Sequence, residues 1–153
     1  MKEKMTRVAQ RLVKLIEDDA EELATSWLND VCKNVKLPSY HQFDKEELYG
    51  RAYDVYSHLR KWIAWETSKE DVAEQYTTHG ALRRRQRFEL AEVVQALILM
   101  RVHLWRKVLT EGLLDTAHEL HQAIELNIQV VRYFDRAIYF TIVGYMKKSD
   151  AVL

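Results

Sequence analysis

Two charged residues stand where helical spacing puts apolar ones. Leu90, Val94, Leu97, Arg101, Leu104 and Val108 recur at steps of four and three, which is the stripe of one helix face. A second series, Ala117, His121, Ile124, Ile128, Val131, Asp135, Ile138, Ile142 and Tyr145, keeps a heptad seam over about four repeats. A charge on an apolar seam must reach water or find a partner. Arg101 and Asp135 are therefore expected to pair in a water-poor bundle and fix the register of their two helices. A charged ligand is the alternative use of the same pair. Losing one member of a buried pair costs roughly 3–5 kcal/mol, because the other charge is stranded.

Other side chains carry weaker chemistry. His79 and His103 are the candidate haem ligands of a helical bundle. Non-covalent haem needs no cysteine pair, but a lone histidine near an apolar face is more often a hydrogen-bonded boundary residue. No cofactor is expected, and haem is the alternative. Arg83, Arg84, Arg85 and Arg87 form a cationic run that could hold phosphate, an acidic protein or nucleic acid. Glu89 and Glu92 follow it, so a solvated, balanced helix face is the plainer expectation. Asp115, His118 and His121 are separated by steps of three, which drift around a helix rather than share one tight face. No second Glu-x-x-His accompanies them, so no di-iron set is built, and no metal site is expected. Trp62, Trp65 and Trp105 fall at helical spacings and read as packing residues or the wall of an apolar pocket. No Gly-rich phosphate loop, Gly-x-Ser-x-Gly or His-Glu-x-x-His occurs, and the expectation is a protein without enzymatic activity.

The totals narrow the partners. The chain has 153 residues, 48% of them hydrophobic, which is enough for one domain with a true core. Lys+Arg and Asp+Glu number 23 each, so the basic excess of a general nucleic-acid binder is missing. Cys32 is the one cysteine. It can form neither an internal disulfide nor a thiolate zinc site, which fits a reducing cytoplasm. The N-terminal stretch is charged throughout, unlike a signal peptide. No apolar run approaches the ~20 residues of a membrane span.

The elements that would position these groups are helical. The 4 Gly and 1 Pro in the chain argue against a turn-rich all-β fold. The spacing predicts an unbroken first helix from about Glu3 to Val35 and a loop around Pro38. Asp44 and Glu47 form a capping box for a second helix to about Glu66. Ser68 is the expected N-cap of a third helix, which carries His79 and the arginine run. The fourth runs from Glu89 to a Gly112 cap, and the fifth from Asp115 to about Lys148. Apolar residues surround this last helix, so it either sits at the bundle centre or joins a second copy of itself. The fold class is all-α, a single helical bundle of about five helices over residues 1–153, with long first and last helices.

Tyr76-x-x-x-Gly80-x-x-x-Arg84, then Phe88-x-Leu90-x-Glu92 and an Arg101-bearing helix, resemble the RsbRD-type N-terminal domain, the sensory module of RsbT co-antagonists. Glu21-Glu22-Leu23-Ala24-x-x-Trp27-Leu28 and Phe134-Asp135-Arg136-Ala137 resemble it too. The resemblance spans about Asp18 to Tyr145. It implies an all-α bacterial sensor or interaction domain, a globin-like arrangement without haem, dimerisation, and a signalling-protein partner in a stress response. The sequence departs from the pattern in two places. No STAS segment follows the last helix, and Arg85-Gln86-Arg87 stands where a Gly-rich turn is expected.

Overall fold

The computed structural model describes residues 5–147. The expected helix start at Glu3, the expected end at Lys148 and the tail Ser149–Leu153 lie outside them. Among the described residues there are eight helices and no strand. These are α1 (Arg7–Asp18), α2 (Ala20–Lys33), α3 (Pro38–His41), α4 (Lys45–Ser57), α5 (Leu59–Ile63), α6 (Trp65–Arg85), α7 (Leu90–Glu111) and α8 (Ala117–Met146). None is long and apolar enough to cross a membrane.

The all-α class is as the periodicity predicts, but the expected first two helices are each interrupted. The first breaks at Asp19, whose backbone leaves the helical region. The acidic run Glu17-Asp18-Asp19 marks that bend. The break brings Asp19 and Glu22 onto the Lys107 ammonium, at 2.9 and 3.1 Å. Glu21 and Glu22 then occupy the first turn of α2 and Lys33 its last, as the helix dipole favours.

The second expected helix starts as read, with the Asp44 carboxylate accepting from the Glu46 N–H at 3.0 Å. Its capping box does not close, because Glu47 is held by Arg51 and Arg83 instead. It breaks at His58 and Ala64 into α4, α5 and the start of α6. Ser68 is not a cap. It lies inside α6, buried, and its hydroxyl donates to the Trp62 carbonyl at 2.9 Å, satisfying an acceptor freed by the break. Leu48, Ala52, Val55, Leu59, Trp62 and Ile63 are all buried, as their spacing predicts.

At the end of α6 the Phe88 N–H bonds to the Arg83 carbonyl, and the Arg87 N–H to that of Arg84. This is the Schellman pattern, in which glycine is usual at the left-handed position. Here Arg87 occupies it, with φ 66°. The turn into α7 thus keeps its shape without a glycine, at some conformational cost. At the head of α8, Thr116 rather than Asp115 is the N-cap, and with Glu119 it completes a capping box.

The core is organised by α6 against α8. The two helices cross at Gly80 and Gly144. A Cβ on Gly80 would overlap the Thr141 carbonyl, and one on Gly144 would overlap that of Thr77. The backbones touch with no side chain between them. Near this crossing the Tyr76 and Tyr133 hydroxyls hydrogen-bond each other. From the other side, Trp27 of α2 donates to the Ala96 carbonyl at 2.8 Å, and Tyr56 of α4 to that of Met100 at 2.7 Å. Two amphipathic aromatics thereby fasten α2 and α4 to α7.

Gly144→Ala is expected to destabilise the domain by about 1–3 kcal/mol or more, because carbonyl and methyl cannot share the space. Gly50→Ala, where an added Cβ meets nothing within 4 Å, is expected to stabilise it by roughly 0.5–1 kcal/mol. Urea denaturation of the two variants checks both signs.

Candidate functional site

A cavity of about 360 Å³ lies between α2, α4, α6 and α7. Trp27, Val55, Val93, Ala96, Leu97 and Met100 form its apolar wall. Four polar side chains collect at one side, namely Glu47 and Arg51 from α4 and His79 and Arg83 from α6. The helical repeat explains this grouping. Residues 47 and 51 are one turn apart, as are 79 and 83, so each pair shares a face.

Glu47 is the hinge of this cluster. One oxygen accepts from Arg51 Nε at 2.7 Å and the other from Arg83 Nη2 at 3.0 Å. Arg83 is buried to 1% exposure, between the Phe43 and Phe88 rings at 5.1 and 4.8 Å. Its Nη1 donates to Gln86 at 2.8 Å. Arg83 Nε and His79 Nδ1 are buried without a partner. Burial, then the nearby Arg51 and Arg83 charges, hold the His79 imidazole well below its usual range, so it is neutral at pH 7. Burial pushes the Tyr76 phenol up to about 12 and also raises that of Tyr133. Both remain protonated hydroxyls, not nucleophiles. Gly50 lies on the cavity rim and is exposed.

The expected arginine patch is dispersed. Arg83 points into the core. Arg84 donates to the Tyr145 and Lys147 carbonyls, both at 3.1 Å, and so caps the C-terminus of α8, where a cation suits the dipole. Arg85 and Arg87 are exposed. Arg101 and Asp135 do face each other, at 3.7 Å, but not in a dry interior, since the Asp135 side chain is 65% exposed. On α7 the expected seam is largely met, since Leu97, Leu104 and Val108 are buried, but the buried face widens to Val93, Ala96, Met100 and Lys107 and leaves Arg101 at its edge. The larger difference is a rotation of α8. On α8 the buried face runs through Ala123, Val130, Tyr133, Phe134, Ala137, Thr141 and Gly144. The heptad seam read from the sequence is the outer face of α8. Ile124 is 52% exposed and Ile128 62%.

His103 is engaged with a carboxylate. Its Nε2 meets Asp30 Oδ2 at 2.8 Å, linking α7 to α2. His118 bonds Gln122 and His121 meets Glu125 at 3.2 Å, both on the surface. Among the described residues no three His, Cys, Asp or Glu side chains gather as a metal site. The charged residue that sequence reasoning missed is Lys107. It is buried to 6% exposure, with Asp19, Glu22 and Glu111 carboxylates within 2.5–3.1 Å. Burial alone would lower its pKa, but the three carboxylates outweigh it and raise it. Glu111, one helical turn beyond Lys107, was the one available signal.

The family model described as the RsbT co-antagonist protein rsbRD N-terminal domain matches residues 21–153. No curated protein matches, and no solved structure does.

The unfolded His79 imidazole titrates near 6.5, and the folded one well below that. Below about pH 6.5 the unfolded chain therefore binds a proton that the folded chain refuses. His79 is expected to lower stability as pH falls through this region, by up to about 1.4 kcal/mol per pH unit, and to contribute no slope above it. In His79→Leu that part of the slope disappears, as urea midpoints taken from pH 8 downward would record.

Proposed function

This chain belongs to the RsbT co-antagonist rsbRD N-terminal domain family, and from that premise we propose that it is a non-enzymatic, cytoplasmic signalling domain. It senses by binding a ligand in the α2–α4–α6–α7 cavity and reports by pairing α8 with a second copy of itself, to which a signalling protein then responds. The observation that carries this reading is the outer face of α8. Thirty residues of helix span about 45 Å. Their inner face is used against α6, yet Leu120, Ile124, Ile128 and Ile142 on the opposite side remain in water. Singly exposed apolar residues are ordinary, but Leu120, Ile124 and Ile128 group on one stretch of that face, with Ile142 further along it, and such a grouping marks a contact surface. A two-fold pairing uses the same row twice. Asp135 and His121 lie on that row, and Arg101 lies beside Asp135. These polar positions weaken the contact enough to make it adjustable.

The cavity and the row are joined by α6. It presents Tyr76, His79 and Arg83 to the cavity and packs Gly80 against α8. A ligand that favours one seating of α6 shifts the α8 pairing by its difference in affinity for the two seatings, and by no more. Arg83 and Arg84 of the cationic run are spent on internal bonds, and the net charge is zero. That supports a protein or small-molecule partner over nucleic acid.

A haem sensor is the second reading, and the unpartnered Nδ1 of His79 is the observation in its favour. Haemin added to the purified protein would then give a Soret band that His79→Leu abolishes. A spectrum equal to that of free haemin sets this reading aside.

The pairing itself has a direct test. Sedimentation should give twice the 18.2 kDa chain mass for the native sequence and the single mass for Ile124→Glu/Ile128→Glu, with helical content by circular dichroism unchanged. A native chain that sediments as a monomer at tens of micromolar, on the order of common transient dimer affinities, would defeat the reading.

A further inference from the structure

The polar corner of the cavity has more positive charge than its depth balances. Arg83 is fully buried, and the Arg51 side chain is about two-thirds buried, at 32% exposure. Both lean on the single carboxylate of Glu47. His79 beside them is neutral, with an unpaired Nδ1, and Arg83 Nε is unpaired as well. Buried donors left without acceptors are costly. The two remaining acids of the lining are at the rim. Glu46 is exposed and the Asp54 side chain is 43% exposed, so water screens these two carboxylates more than it does Arg83. Apart from Gln75, the rest of the wall is apolar and aromatic. A concave apolar volume with a few convergent polar groups is the usual form of a small-molecule site.

The geometry points to a small monocarboxylate with an apolar or aromatic body as the occupant. Its carboxylate sits at the Arg51–His79–Arg83 corner, where guanidinium N–H groups supply charge-assisted bonds. Its body lies against Trp27, Leu97 and Met100. Neutral His79 donates one N–H and adds no second charge, which suits a monoanion better than a phosphate ester. Gly50 marks the entrance. Its missing side chain faces open space on the cavity rim, so a larger residue there would stand in the doorway without disturbing the core.

This assignment names the ligand of the sensor reading above and rests on that reading for its consequence, not for the binding. The probes are benzoate, 3-phenylpropionate and hexanoate, each beside its neutral amide, with benzylamine as the cationic control. Binding is measured by calorimetry and by the NMR shift of the Trp27 indole N–H. The carboxylates are expected to bind about ten- to a hundredfold more tightly than the amides, which cannot form charge-assisted bonds. Arg51→Gln should erase that preference. Gly50→Leu should block all the probes while the domain stays folded, and Gly50→Ala should not. The inference is overturned if no carboxylate binds, if amide or amine binds as well as acid, or if Gly50→Leu leaves affinity unchanged. Binding that leaves the sedimenting mass unaltered would uphold this ligand class and defeat only the coupling to α8.

Discussion

The close crossing of α6 and α8 constrains everything else in this domain. Where two helices meet through side chains, a change of one methylene can be absorbed by a rotamer. At Gly80 and Gly144 no side chain intervenes, and each position faces a backbone carbonyl of the other helix. The axes are as near as they can come, and two threonines complete the contact, with the Thr141 side chain fully buried. Close-packed interiors tolerate such contacts only where geometry is fixed on both sides. The Tyr76–Tyr133 bond at one end does that fixing. So do Arg84 on the terminal carbonyls of α8 and the Tyr145 hydroxyl on the Phe88 carbonyl, at 2.5 Å.

Around that crossing, polar groups in the interior are used to hold elements in register. Lys107 gathers carboxylates from the α1–α2 bend, from α2 and from its own helix. Glu92 of α7 accepts both the backbone N–H and the hydroxyl of Ser39, at 2.8 and 3.0 Å, and so ties down the short α3. Trp27 and Tyr56 bond to α7 carbonyls. Each of these places a polar group next to apolar surface with its partner supplied, which is the condition for burial at low cost. The Glu47 cluster differs because it is incompletely paired, and it borders a cavity. That combination separates it from the structural networks.

The helical class and the buried stripe of α4 and α5 were legible because apolar spacing follows from burial. The three breaks in the N-terminal half were not. They fall at Asp19 and at His58 and Ala64, with neither glycine nor proline to announce them, and long-range partners such as Lys107 decide them. The seam of α8 was legible as a heptad but not as to which side it faces. A helix apolar on two sides offers two stripes of similar quality, and the small residues Ala137, Thr141 and Gly144 were the mark of the one that meets another backbone. Arg101 and Asp135 stood out because they interrupt apolar rows, yet Asp135 lies on an outer face and Arg101 reaches water from the edge of its row, so neither charge is stranded. In contrast, Arg83 looked like one of four solvated cations. Its burial comes from Phe43, Phe88 and Glu47, none of them near it in spacing except Phe88, so no local pattern could reveal it.

The geometry of α6 also limits how a signal could travel. Motion of α6 toward α8 is blocked by the carbonyl contacts at Gly80 and Gly144, and motion away would open an unfilled gap at the same place. Rotation about its own axis would swing Tyr76 off Tyr133. A slide along α8 would part Tyr76 from Tyr133 and Arg84 from its carbonyls, and would carry the residues flanking the glycines into the facing backbone. The freedom that remains is displacement of α8, carrying α6 with it, against α7. The loose 3.7 Å contact between Arg101 and Asp135 is where α7 and α8 meet beside the outer row. A long, solvent-facing ion pair resists such a displacement weakly, since its energy is small to begin with. The same feature that disqualifies this pair as a buried lock makes it a weak restraint between α7 and α8.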